Sequence, residues 1–122
     1  MTRSRHQGEL ENIVLNVLWQ AKISDEPKLT SQQILQSIAV DDDLALTTVL
    51  TVLSRLADKG LVERSSGGGR TLLFEAAHTQ AQHNASLMLG ILNSTENPAI
   101  AFSHFADQLT PQQVEQLRKT LG

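Results

Sequence analysis

The sequence has no cysteine, and only 3% of its 122 residues are aromatic. The absence of cysteine excludes disulfides, thiolate metal sites and a thiol nucleophile. With one tryptophan and no tyrosine, the chain has little material for an aromatic-lined ligand pocket or a platform that stacks bases. The core must therefore be built from leucine, isoleucine, valine and alanine.

Long apolar runs are also missing, and none approaches the roughly 18 residues that a membrane-spanning helix needs. Arg3 and Arg5 precede no apolar stretch, so the N-terminus does not have the pattern of a secretory signal. We therefore expect a cytoplasmic protein with no membrane partner.

An excess of basic residues is lacking as well, because the formal net charge is −3. This charge disfavours a nucleic-acid partner, since neutralisation of phosphates supplies much of the affinity for DNA. The distribution of charge matters more than its total, however. The basic residues that can share one face are Arg3, Arg5, Arg55, Lys59, Arg64 and Arg70.

Hydrophobic periodicity predicts three helices in the first half of the chain. The first covers residues 7–21, where Glu9 and Glu11 favour the helix dipole. Its predicted apolar stripe is Leu10, Ile13, Val14, Val17 and Leu18. A short second helix begins at Ser31 with Thr30 as its cap, and a third covers residues 46–59 and ends at Gly60.

Two β-prone segments, residues 61–65 and 70–76, flank a glycine-rich turn and predict a hairpin. Three short helices followed by a hairpin are typical of a winged helix-turn-helix. The predicted fold class is therefore mainly α, with a winged-helix DNA-binding domain over residues 1–77.

Residues 78–122 predict three further helices. The first covers residues 79–92, and the second begins at Pro98. The third begins at Pro111, where Thr110 is the cap and Gln113 completes a capping box. Their apolar residues exceed what three short helices can hide within one chain. We therefore expect a helical dimerisation region. Its predicted interface residues are Leu87, Ile91, Phe102, Phe105, Leu109, Val114, Leu117 and Leu121.

The third helix carries the candidate DNA-binding face. Thr47, Thr48, Thr51 and Arg55 offer hydroxyls, methyl groups and a guanidinium to base edges, and the preceding Asp41–Asp43 favours the helix dipole. The predicted apolar face is Val49, Leu50, Val52, Leu53 and Leu56. The predicted DNA contacts are completed by Arg5, Arg64 and Arg70.

Catalytic and metal-binding patterns were not found. His78 and His83 are five residues apart, which does not place both on one helix face. Ser103 and His104 are neighbours without a triad or a nucleophile elbow around them. We expect no enzyme activity, no metal and no cofactor.

The sequence also resembles a known family. Residues 8–19 resemble the opening helix of the penicillinase-repressor (BlaI/MecI-type) family, and residues 43–62 resemble its recognition helix and first wing strand. Gly69 and Arg70, followed by an apolar strand, resemble the return of the wing, and the segment from His104 resembles the dimerisation region. The resemblance implies a homodimeric repressor on a palindromic DNA operator, released by a signal-dependent event.

In several members of that family a regulatory protease cuts one bond before a phenylalanine, commonly an Asn–Phe bond. The aligned pair here is His104–Phe105, with Ala101–Phe102 as a second candidate, and neither is Asn–Phe. The copper-responsive branch of the family uses a C-terminal cysteine cluster, which this chain lacks.

Two other hypotheses stay open at this stage. A winged-helix module that binds proteins and not DNA would explain the net charge of −3. A ligand-responsive winged-helix regulator is the other, although the scarcity of aromatic residues argues against a typical pocket.

Overall fold

The structure is a computed structural model that describes residues 7–38 and 44–122. The chain divides into two compact units, the first ending at His83 and the second covering Asn84–Gly122. The elements are, in order, α1 (Gln7–Lys22), α2 (Ser31–Ile38), α3 (Leu46–Asp58), β1 (Val62–Ser66), β2 (Leu72–Ala76), α4 (Gln80–Ser94), α5 (Pro98–Gln108) and α6 (Pro111–Leu121). The mainly α fold with a hairpin after the third helix is confirmed. The assignment of residues 1–77 and 78–122 to separate functions stays a prediction.

Three of the helices begin with the same capping box. A threonine hydroxyl accepts a hydrogen bond from the backbone N–H of a glutamine three residues later, and the glutamine side chain accepts one from the threonine N–H. The pairs are Thr30–Gln33, Thr79–Gln82 and Thr110–Gln113. The predicted caps at Thr30 and Thr110 are confirmed, and Thr79 caps α4, which begins one residue later than predicted.

The core of the first unit lies where α1, α2, α3 and the hairpin meet. The buried face of α3 is at the centre of this cluster and consists of Val49, Val52, Leu53 and Leu56, none more than 2% exposed. A fully buried aliphatic side chain contributes about 1.5–3 kcal/mol, so these four side chains fix the rotation of α3 about its axis. The other members are Leu10, Val14, Leu15, Leu18, Trp19, Ile34, Val62, Phe74 and Ala76.

The buried face of α1 differs from the prediction. Leu15 and Trp19 are buried, whereas Ile13 and Val17 are only half-buried. This rotation places Glu11 within the buried face, where it is 7% exposed, and not at a solvated helix start. The cause is that α1 packs against three elements, α2, α3 and β2, so that more of its circumference is covered.

Glu11 is stabilised there by an ion pair with the end of α3. The Nζ of Lys59 donates a hydrogen bond to Oε1 of Glu11 at 2.6 Å, while the Lys59 side chain is half exposed. A buried carboxylate requires such a partner, because burying an unpaired charge is costly. Lys59 is therefore a fold-stabilising residue that links α3 to α1.

Relative to the prediction, β1 is shifted by one residue toward the turn, whereas β2 begins two residues farther from the turn and ends at Ala76 as predicted. β1 covers Val62–Ser66 and pairs antiparallel with β2, with Val62 opposite Ala76 and Ser66 opposite Leu72. On the other edge of β2, Leu29 and Phe74 exchange two backbone hydrogen bonds of 2.9 and 2.8 Å. The loop before α2 therefore ties the hairpin to the helices.

Gly60 ends α3 as predicted. Its φ of 77° lies in the left-handed region. Its N–H donates to Ala57 O at 3.0 Å, and the next N–H, of Leu61, donates to Leu56 O at 2.9 Å. These two bonds form a Schellman motif, which turns the chain directly from α3 into the hairpin.

The second unit has no buried core comparable to that of the first, because no residue of α4, α5 or α6 is buried. Large apolar side chains of all three helices are exposed. In the described part of the chain, no helix combines the length and apolar character required to cross a bilayer.

Replacing Gly60 by alanine is expected to destabilise the first unit by about 1–2 kcal/mol, because alanine strongly disfavours a left-handed conformation. Urea denaturation followed by circular dichroism, at one fixed chain concentration, measures the change. Gly8→Ala is the matched control: Gly8 lies in the first turn of α1, and no described atom lies within 4 Å of an added Cβ. There alanine is expected to raise stability by up to about 1 kcal/mol. Equal effects at both positions would contradict the special role of Gly60.

Candidate nucleic-acid interface

The outward face of α3 lies opposite its buried face. Thr47, Thr51 and Ser54 are exposed and lie along one side of the helix, since residues three, four and seven apart share a side. Arg55 is exposed on one flank of this row, and Thr48, on the same flank, is half-buried. Three of the four predicted α3 contact residues are therefore fully at the surface, and Thr48 is at the edge. Ser54 was not predicted.

Thr51 has a restricted hydroxyl. Its Oγ1 donates a hydrogen bond to the backbone oxygen of Thr47 at 2.9 Å, a bond that competes only weakly with helix geometry. The hydroxyl proton is therefore occupied within the helix. Thr51 can offer outward a hydrogen-bond acceptor and a methyl group.

The prediction that Leu50 belongs to the buried face is wrong. Leu50 is 40% exposed, and it is not among the residues that pack on the core cluster. Successive residues of a helix are about 100° apart, so Leu50 lies about 60° from Thr47, on the flank opposite Arg55. The four other residues of the predicted apolar face fill the core without it.

The arginines predicted to contact DNA differ from Lys22 and Lys59 in their pairing. Within residues 7–38 and 44–122, Lys22 and Lys59 form ion pairs with Glu75 and Glu11, at 3.1 and 2.6 Å. The exposed side chains of Arg55, Arg64 and Arg70 form none among these residues. The three guanidinium groups are therefore available to an external anion, whereas Lys59 is already used by the fold. Arg5 and Asp41–Asp43 lie outside the described residues.

The tip of the hairpin is a tight glycine turn. Gly68 and Gly69 have φ values of 100° and 58°, which side chains with a Cβ rarely adopt. The turn is closed by hydrogen bonds from Gly67 N to Thr71 O at 2.8 Å and from Thr71 N to Gly68 O at 3.2 Å. Arg70 lies within this turn, between Gly69 and Thr71, and Arg64 lies in β1.

The predicted dimerisation residues lie in α4, α5 and α6 and in the turn before α6. Leu109 is half-buried, and the other seven are exposed. The predicted interface did not include three further exposed apolar residues, Met88, Leu89 and Ile100, because α4 and α5 do not confine their apolar residues to one stripe. Within this unit, α4 and α5 form the walls of an apolar cavity of about 550 Å³. Its lining residues are Ala85, Met88, Leu89, Ile91, Leu92, Thr95, Ala101, Phe102 and Phe105.

The structure describes the positions of the candidate cleavage residues and of the histidines His83 and His104. His104 and Phe105 are exposed and lie inside α5, as does the Ala101–Phe102 pair. The imidazole of His83 lies against the indole of Trp19, with ring centroids 5.1 Å apart. In the part of the chain that the structure describes, no three His, Asp or Glu side chains are grouped closely enough to hold a metal ion.

Comparison with known proteins gives a consistent result. A family model described as penicillinase repressor matches residues 7–122. The chain is 32% identical over 125 residues to the transcriptional regulator BlaI of Mycobacterium tuberculosis, in two strains, with 100% of this chain and 87% of each relative covered. A solved structure of a Lactococcus lactis ZitR mutant in its apo form is 17% identical, with a TM-score of 0.45, covering 93% of this chain and 80% of that chain.

Proposed function

The chain belongs to the penicillinase-repressor family, and we propose that it is a sequence-specific DNA-binding repressor that acts as a homodimer on a palindromic operator. Members of this family are transcriptional regulators and not enzymes, which agrees with the absence of a catalytic pattern in the sequence. A regulator that binds DNA has to work where the genome is, which supports the cytoplasm as its proposed location.

The observation that carries the proposal is the outward face of α3. Its 13 residues have a length of about 20 Å at the rise of an α-helix, and the major groove admits a helix of this kind. Thr47, Thr51 and Ser54 are small enough to let the helix approach base edges closely. Arg55 on the flank can donate to guanine or to a phosphate.

The unpaired arginines supply the electrostatic part of the interface. Arg64 and Arg70 lie beside a hairpin tip that, in a winged helix, follows the DNA backbone. Neither arginine forms an ion pair with a carboxylate among the described residues. Each phosphate that they neutralise releases counterions, which favours binding at low salt.

The second unit supports self-association. Monomeric proteins rarely expose large contiguous apolar patches, yet α4, α5 and α6 bury no residue within this chain. A second copy is the occupant that the proposal assigns to this surface, because a two-fold dimer covers the same patch on both chains and positions two copies of α3 for two half-sites. Dimerisation also doubles the number of arginines on the DNA.

Release from the operator is proposed to follow a signal, with cleavage by a regulatory protease at His104–Phe105 or Ala101–Phe102 as one route. Both bonds lie within α5. A protease cuts a transiently opened state of such a segment, so cleavage there requires α5 to unwind locally. Loss of α5 and α6 would then remove most of the apolar surface that holds the dimer.

Thr51→Ala is expected to weaken binding to a specific duplex by about 1–3 kcal/mol, roughly 5- to 150-fold, with little change on random DNA. The duplex is one enriched from a random pool by the unmodified chain, and affinities are measured by mobility shift. Thr120→Ala is the matched control, since Thr120 makes the same 2.9 Å bond to the fourth preceding backbone oxygen in α6. Equal losses on specific and random DNA would show that Thr51 does not contact bases.

Arg70→Ala is expected to weaken binding to all duplexes and to reduce the slope of log affinity against log salt by about one for each protomer. A salt titration of duplex binding measures the slope. Lys119→Ala removes an exposed cation from α6 and should leave it unchanged. Binding without any salt slope or sequence preference would instead favour a winged-helix module that binds proteins.

Leu117→Asp is expected to produce monomers in sedimentation velocity. Losing the burial of one leucine on each side costs about 3–6 kcal/mol per dimer, a weakening of roughly 10²- to 10⁴-fold. Gln112→Asp introduces the same charge on the side of α6 opposite the Val114, Leu117 and Leu121 stripe, and it should leave the dimer intact. A dimer that survives Leu117→Asp would exclude this face of α6 from the interface.

A further inference from the structure

Leu50 is the apolar residue on the otherwise polar outward side of α3. Its side chain is 40% exposed and lies next to Thr47 and Ser54, three residues before and four residues after it. The core cluster is complete without it. Leu50 therefore lies outside the core cluster and presents apolar surface beside the polar outward row of α3, where a partner outside the chain can contact it.

The chemistry of the major groove leaves few partners for such a side chain. Most groups that base edges present there are hydrogen-bond donors or acceptors, and a leucine placed against them would remove water without replacing the lost bonds. The C5-methyl group of thymine is the apolar feature of the groove. A leucine against this methyl group buries apolar surface on both sides.

We propose that Leu50 is a specificity-determining residue that contacts the C5-methyl group of a thymine in each half-site. This inference rests on the proposed function, since it requires α3 to enter the major groove. The two flanks of α3 then make different kinds of contact with DNA. Arg55 provides a charged contact on one flank, while Leu50 selects a methylated pyrimidine on the other.

Removing the methyl group from DNA tests this contact directly. A duplex is first enriched from a random pool by the unmodified chain, and each thymine is then replaced in turn, in both half-sites, by deoxyuridine. Burial of one methylene-sized group corresponds to about fourfold in affinity. We expect one symmetry-related pair of thymines whose replacement weakens binding by about fourfold for each half-site, near 15-fold in total.

The same scan on variants assigns the effect to Leu50. Leu50→Ala is expected to bind the thymine and deoxyuridine duplexes with equal affinity at that position, whereas Leu50→Met should keep most of the discrimination. Ile23→Ala is the matched control, because Ile23 is an exposed aliphatic residue in the loop after α1, and it should keep all of it. Circular dichroism verifies that each variant is folded.

The outcomes separate this inference from the proposed function. If a specific duplex is enriched but deoxyuridine has no effect at any thymine, or if Leu50→Ala keeps the same discrimination, the role of Leu50 is wrong while DNA recognition stands. If no sequence is enriched from the pool, both the proposed repressor function and the role of Leu50 are wrong.

Discussion

The packing of one side of α3 against α1, α2 and the hairpin is the constraint on which the rest of the candidate interface depends. Val49, Val52, Leu53 and Leu56 are almost fully buried, and a helix is rigid on the scale of one turn. Once these four positions face inward, the residues on the opposite side must face outward, with no further choice of rotation. The same cluster includes Val62 and Phe74 of the hairpin, so one set of contacts fixes both the outward face of α3 and the start of the wing. The ion pair between Lys59 and Glu11 adds a directional contact at the end of α3, where an apolar core alone would leave the helix free to tilt.

The two units of the chain differ in how their apolar residues are buried. The first unit has a core of its own, whereas α4, α5 and α6 have no buried residue. In the proposed dimer the stability of the second unit is therefore inseparable from association, and it depends on chain concentration. This arrangement agrees with the proposed release from the operator by a signal. In that proposal a change in the second unit acts on association, since no residue of α4, α5 or α6 belongs to the buried core of the first unit.

Much of the fold could be predicted from the sequence, because several local signals are strong. The buried face of α3 follows from apolar spacing at helical period, and its end at Gly60 follows from the need for a positive φ. Two helix starts follow from a threonine cap at Thr30 and from the capping box of Thr110 and Gln113. The failures are also physical. The periodicity of a single helix does not tell how many neighbours cover it, so Glu11 was assigned only a role toward the helix dipole and was left out of the buried face, although α1 packs against three elements. Leu50 was assigned to the core because it is apolar, but four other residues already fill the space. The exact strand ends were wrong since serine and glycine near a turn give no alternation of buried and exposed side chains.

The acidic net charge and the free arginines together define the kind of DNA binding that this chain can support. A protein of net charge −3 with few unpaired cations near its outward helix gains little from the sequence-independent attraction of phosphates. Its non-specific affinity should be low, and a larger share of its specific affinity must come from base contacts and from the simultaneous use of two half-sites. A repressor of this design loses less of its population to the many competing non-specific sites of a genome. Under these conditions a small apolar contact in each half-site, which adds nothing to non-specific binding, has a disproportionate effect on which sequence is occupied.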